Sequence, residues 1–420
     1  LRHTTSAELE DYMNEEMTPD YMTGTPNTVC ADARRQFSRI GLMFLVGTAL
    51  IYGVQFGASA IANAINPDLL SSTSYSLLIV MIPMYVIAMP IMALLIKRIP
   101  AVTLPKKHMT FGQWLIAFLM CYGAMYVSNY IGLILTQLIS ILKGSPVTNT
   151  MLEVATSSNL WVNLFIMVLC APVAEELIFR KLLIDRLAQY GEGVAVLFSG
   201  LMFGLFHGNL NQFVYAFVLG LCFGFIYVKT GNIRYTIGLH MLVNFLGSVL
   251  GVAILKWLGD DFLSIASDPA GMMSYMTGNF GKLIVYFIYI FLLLGVAIAG
   301  IILFIVNLKK IRFLPGMNTL PKGKRFSTTV LNDRLDRDYH CTALSIMKKA
   351  AAGIPFYRFY SCDSFFHLII LLLFRQSFYA LSGSSPFFIF APSAALLFPT
   401  VSLLFPAASL IFHGLPILCI

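Results

Sequence analysis

Long apolar runs separated by short charged stretches make up the first three quarters of the chain. Eight runs stand out, at about 40–65, 75–96, 111–142, 159–179, 194–210, 211–228, 235–255 and 283–308. Each is long enough, or nearly so, to cross ~30 Å of hydrocarbon at about 1.5 Å of rise per residue. A segment in lipid must satisfy its own backbone hydrogen bonds, so each run predicts a helix. Pro83 and Pro90 predict a kink in the second run, and Pro172 a bend or a new helical start in the fourth.

The charges between the runs sort into two sets. Counting alternate connections from a cytoplasmic N-terminus, one side holds 19 Lys and Arg residues and the other holds only Lys143, Lys256 and Lys282. Basic residues collect on the cytoplasmic side of membrane proteins. The expectation is therefore an all-α polytopic transmembrane bundle of about eight spans, N-in and C-in.

Composition narrows the class further. Of 420 residues, 58% are hydrophobic and 11% are charged, against about 25% charged in an average soluble domain. That excludes an ordinary soluble globule, and 34 Phe with 19 Tyr exclude low-hydrophobicity disorder. The net charge of +8 does not point to nucleic acid, because the basic residues sit in small groups beside apolar runs. Seven cysteines, at 30, 121, 170, 222, 341, 362 and 419, form no CxxC pair and no zinc-finger spacing.

The two ends read differently from the middle. Residues 1–33 are polar and acidic, unlike a signal peptide, and are expected to form a cytoplasmic segment. The absence of an initial Met suggests a natural start at Met13 or Met17. Residues 34–312 are expected to hold the eight-helix domain, with the chemistry within 155–250. Residues 313–420 are expected to be a basic anchor followed, beyond about 330, by an appendage whose prolines interrupt every apolar run. Deleting 331–420 is expected to leave fold and activity unchanged.

Ionisable residues inside apolar spans are costly, and they mark functional sites by default. Three places carry them. Glu175 and Glu176 end the fourth run, with Arg180 placed i,i+4 from Glu176 so that the two can pair. Glu175 projects about 100° away from its neighbour, which leaves it freer to act as a base. His207 lies in the fifth run, and His240 with Asn244 lies i,i+4 on one face of the seventh. Taken singly, a solvated salt bridge, a structural histidine and a polar helix contact would account for each. Two carboxylates, two imidazoles, an amide and a guanidinium within 70 residues favour one shared intramembrane site.

Several intramembrane chemistries leave no trace. There is no HExxH, no GxSG and no aspartate within the apolar runs, which removes the zincin, rhomboid and presenilin arrangements. Proton-relaying transport stays open. The motifs Glu175-Glu176-xxx-Arg180, Phe203-xxx-His207 and His240-xxx-Asn244 resemble, in order, those of the CPBP family. That family comprises the CAAX prenyl proteases and bacteriocin-processing (Abi) enzymes, and the resemblance covers about 155–250.

The resemblance implies an intramembrane endopeptidase acting on a membrane-associated peptide or protein, in a bacterial plasma membrane. Glu175 would be the base and His207 would help to activate the water. His240 and Asn244 would stabilise the oxyanion, while Glu176 and Arg180 order the site. No cofactor is certain; two His and a Glu would suffice for zinc on paper. Oligomeric state is not indicated. The alternative class is a non-catalytic immunity or scaffold protein, or a transporter. One geometric problem is left for the structure. His207 lies deep along its helix and Glu176 near a basic flank, so either the fourth helix continues past Arg180 or the fifth starts well outside the bilayer.

Overall fold

The structure is a computed structural model, and it describes residues 26–144, 150–259, 262–266 and 268–320. The expected start sites and the C-terminal appendage lie outside these residues. Among the described residues the chain is helical and without strands. Eight principal helices follow in order: α1 Pro26–Ile65, α2 Thr73–Lys97, α3 Phe111–Lys143, α4 Leu160–Tyr190, α5 Glu192–Phe206, α6 Leu210–Thr230, α7 Ile233–Leu258 and α8 Pro269–Asn307.

All but α5 are long and apolar enough to cross a membrane. With 15 residues, α5 reaches only ~22 Å. The chain is an integral membrane protein, and its surface fits that reading. Phe56, Ile65, Leu94, Phe291, Leu292 and Ile305 are exposed on the outside, while Gln55, Asn163, Glu175, Glu176, Arg180 and Asn244 are wholly buried. Water would demand the reverse arrangement.

Polar residues end the apolar runs. The Asn159, Asn209 and Asn232 side chains accept from backbone N–H groups at the starts of α4, α6 and α7, satisfying donors that a helix start leaves free. Thr110 and Gln113 form a reciprocal capping box on α3. The proline expected to kink α2 is followed by a wide turn at Met84–Ala88. Three more wide turns occur at Leu164–Cys170, Leu177–Ile184 and Phe245–Gly251. Such turns relieve a strained hydrogen-bond ladder and recur at functional sites.

The helix problem resolves through α4, which continues well past Arg180 to Tyr190. Its polar extension is accommodated by partners from other helices. Arg186 Nε donates to the Ile96 carbonyl at 2.6 Å and the Tyr227 hydroxyl donates to Asp185 at 2.7 Å. Gly191, at φ 113°, then reverses the chain into α5. Residues 311–320 pack on this reversal, where the Leu314 N–H donates to Glu192 at 2.8 Å.

Helices α5 and α6 form the most extensively packed pair of neighbours. They approach so closely that a Cβ on Gly220 would lie 2.7 Å from the Gly200 Cα. Gly220→Leu is expected to force them apart at a cost of about 1–3 kcal/mol. A variant with an unchanged thermal midpoint in detergent would show that the contact is not tight.

Candidate active site

The three sequence motifs meet inside the bundle. Glu175, Glu176 and Arg180 come from α4, His207 caps the C-terminal end of α5, and His240 with Asn244 comes from α7. All six side chains are buried.

Glu176 is the hub. Arg180 Nε lies 3.1 Å from its Oε2 as an ion pair, and His240 Nδ1 lies 3.1 Å from its Oε1. Both carboxylate oxygens therefore face positive or donating groups, which a buried carboxylate requires. The Thr236 hydroxyl, one turn before His240, donates to the Ile233 carbonyl at 3.1 Å. With Nδ1–H donating to Glu176, the His240 ring presents Nε2 to Glu175, 3.7 Å from its Oε2.

Glu175 is the opposite case. It is fully buried, and neither oxygen has a hydrogen-bond partner among the described residues. Burying a carboxylate unpaired costs several kcal/mol in real proteins, so an unpaired one marks a position kept for something other than stability.

Arg180 is held by rings as well as by charge. Its guanidinium lies 4.3 Å from the centre of the Phe203 ring and 5.6 Å from that of Phe223. Desolvated contacts of this kind are worth about 2 kcal/mol. Phe203 also meets the edges of His207 at 4.9 Å and His240 at 5.7 Å. Its carbonyl accepts from His207 Nδ1 at 2.7 Å. A carbonyl can only accept, so that nitrogen carries the hydrogen and Nε2 carries the lone pair of the neutral ring. Phe203→Leu is expected to loosen Arg180 and both histidines together, lowering stability by about 2 kcal/mol and reducing activity more than stability. A fully active variant would remove the ring from the site.

Helices α4 and α7 are locked in register by a polar ladder. The Asn244 amide donates to the Met167 carbonyl at 2.8 Å, and the Asn163 amide donates to the Ser248 carbonyl at 3.2 Å. Thr236, His240, Asn244 and Ser248 recur every fourth residue and are all buried, a stripe of which only the middle pair was singled out from sequence. Phe223 carried no signal, since one Phe in an apolar helix looks like any other.

Residues 157–246 match the family model for Rce1-like type II CAAX prenyl endopeptidases. This segment is similar to the Rce1-like family. It runs from just before α4 into α7 and contains all six site residues. YdiL of Bacillus subtilis (strain 168), whose name describes a membrane peptidase, is 28% identical over 168 residues, 38% of this chain and 66% of its own length. The membrane-embedded CAAX protease MroQ of Staphylococcus aureus (strain USA300) is 25% identical over 159 residues, 36% of this chain and 62% of its own length. The chain thus spans just under two thirds of each of these relatives. No solved structure matches it significantly.

Both histidines rest Nδ1 on an oxygen and present Nε2, as metal-ligating histidines do. Among the described residues, however, no three His, Cys, Asp or Glu side chains are gathered closely enough to share an ion. The residues do not fit a zinc in this arrangement.

Proposed function

We propose that this chain is an intramembrane endopeptidase that hydrolyses a membrane-associated peptide or protein, with Glu175 as the base. The observation that carries this reading is the fully buried Glu175 carboxylate without a hydrogen-bond partner, set beside an ion-paired Glu176. Two adjacent carboxylates in such different surroundings divide the labour of acid–base chemistry.

In the proposed reaction Glu175 takes a proton from water as the oxygen attacks the scissile carbonyl. His207, through Nε2, accepts a hydrogen bond from the same water and orients it. His240 and Asn244, the donors that the motif resemblance assigns to the oxyanion, are held at the site by Glu176 and the Met167 carbonyl. The proton held by Glu175 then passes to the leaving amine as the C–N bond breaks. Glu176 and Arg180 touch neither water nor substrate; they hold His240 and the end of the site in place.

A CAAX-type C-terminus follows the names of the matched family and of MroQ, and a bacteriocin or leader peptide follows the motif resemblance. The 19-to-3 distribution of basic residues supports cytoplasmic termini and a site reached from that side, in a bacterial plasma membrane.

The test uses the full-length protein in nanodiscs with two internally quenched peptides. One ends in a farnesylated CAAX sequence, and the other is an unprenylated leader-type peptide. Cleavage of either, with the scissile bond located by mass spectrometry, is expected. Cleavage of neither would turn the reading toward an immunity, scaffold or transport role.

A further inference from the structure

We propose that Tyr85 on α2, outside the matched segment, is a catalytic residue that donates a hydrogen bond to the oxyanion. This rests on the peptidase reading above and adds a contributor from a helix that none of the motifs touches.

Placement comes first. Helices α2 and α4 run parallel, tied near both ends. The Asn159 N–H donates to Ser74 Oγ at 2.8 Å, and Arg186 Nε donates to the Ile96 carbonyl at 2.6 Å. Tyr85 stands 11 residues from Ser74 and 11 from Ile96, midway between the ties. The corresponding stretch of α4, counted 11 residues from its own two tie points, is 170–175. The two helices use 22 and 27 residues between the same ties. The surplus on α4 is taken up by its two wide turns, which place more residues in each turn. That register sets Tyr85 beside the Cys170–Glu175 stretch of α4.

Chemistry comes second. The Tyr85 hydroxyl is buried and has no hydrogen-bond partner among the described residues, although part of its ring is exposed. A phenol O–H normally finds an acceptor when buried. Two polar groups without hydrogen-bond partners among the described residues, this hydroxyl and the Glu175 carboxylate, thus lie on facing stretches of α2 and α4. The donors expected from sequence are committed elsewhere: Asn244 Nδ2 to Met167 and His240 Nδ1 to Glu176. Tyr85 also lies in the wide turn Met84–Ala88, so each of the helices α2, α4 and α7 carries such a turn at or beside a site residue.

The step balances without a redox partner. As the water oxygen bonds to the carbonyl carbon, the C=O π pair moves onto oxygen and the water proton goes to Glu175. Tyr85 donates a hydrogen bond to that oxygen and keeps its proton throughout. When the intermediate collapses, the pair re-forms the carbonyl and the amine leaves with the proton from Glu175.

The experiment is Tyr85→Phe in the full-length protein in nanodiscs, assayed with the same two peptides. Losing one oxyanion donor typically lowers kcat about 10²–10³-fold, and KM is expected to stay near the wild-type value. Because the hydroxyl has no hydrogen-bond partner among the described residues, the thermal midpoint is expected to equal or exceed that of wild type. A wild-type kcat in Tyr85→Phe overturns the assignment and leaves the Glu175 reading intact. Loss of kcat with a lowered midpoint marks a structural hydroxyl and also overturns it. A wild-type protein that cleaves neither peptide overturns the peptidase reading, and Tyr85 falls with it.

Discussion

Glu175→Gln is expected to lower cleavage of the quenched peptides by about 10²–10⁴-fold, the usual worth of a general base. The amide keeps the shape of the side chain but cannot take a proton from water. Insertion and thermal midpoint are expected to hold, because Glu175 has no hydrogen bond to lose among the described residues. The same variant should retain uncleaved substrate, so crosslinking and mass spectrometry on membranes carrying it would identify the natural partner. Near-normal cleavage by purified Glu175→Gln would remove Glu175 as the base. Full biological function with no cleavage would favour the scaffold reading instead.

Arg180→Ala should do two kinds of damage. It leaves Glu176 buried with His240 as its remaining partner, and breaking a buried ion pair from one side costs about 3–5 kcal/mol. It also vacates the space between Phe203 and Phe223, which the guanidinium fills. Because Glu176 holds His240 at 3.1 Å, activity is expected to fall together with stability. The check is a paired measurement of thermal midpoint and peptide cleavage in the same nanodisc preparation. A variant that keeps its midpoint but is inactive would show that the ion pair serves chemistry alone. Arg180→Lys is expected to recover part of the stability, since it restores charge but not the planar face that stacks on Phe203.

The Tyr85 assignment and these two variants separate cleanly. Glu175→Gln and Tyr85→Phe remove single functional atoms from groups without partners, so both should lose rate without losing fold. Arg180→Ala removes a group that contacts one Glu176 oxygen and two rings directly, so fold and rate should move together.

Much of this protein could be read along the chain, for local reasons. The bilayer makes a charge within an apolar run expensive, so Glu175, Glu176, Arg180, His207 and His240 stand out against their surroundings before any fold is known. Pairs four residues apart share a helix face, which exposes Glu176 with Arg180 and His240 with Asn244. Span lengths follow from hydrocarbon thickness, and seven of the eight runs form helices that meet it.

What the chain order could not decide depended on contacts between residues far apart in it. Glu176 and His240 are 64 residues apart, and only the packing of α7 on α4 places them at 3.1 Å. Past Arg180 the sequence resembles a solvated basic flank. Asp185 and Arg186 are nevertheless buried, because Tyr227 and the Ile96 carbonyl satisfy them, and that lets α4 run on to meet α5. Tyr85 is one tyrosine among 19; nothing local separates it from the rest. Apolar length and buried charge are properties of a segment and can be read from it. Which donor meets which acceptor is a property of helix register, and in this bundle register is set by close glycine contacts, wide turns and a few polar bonds between helices.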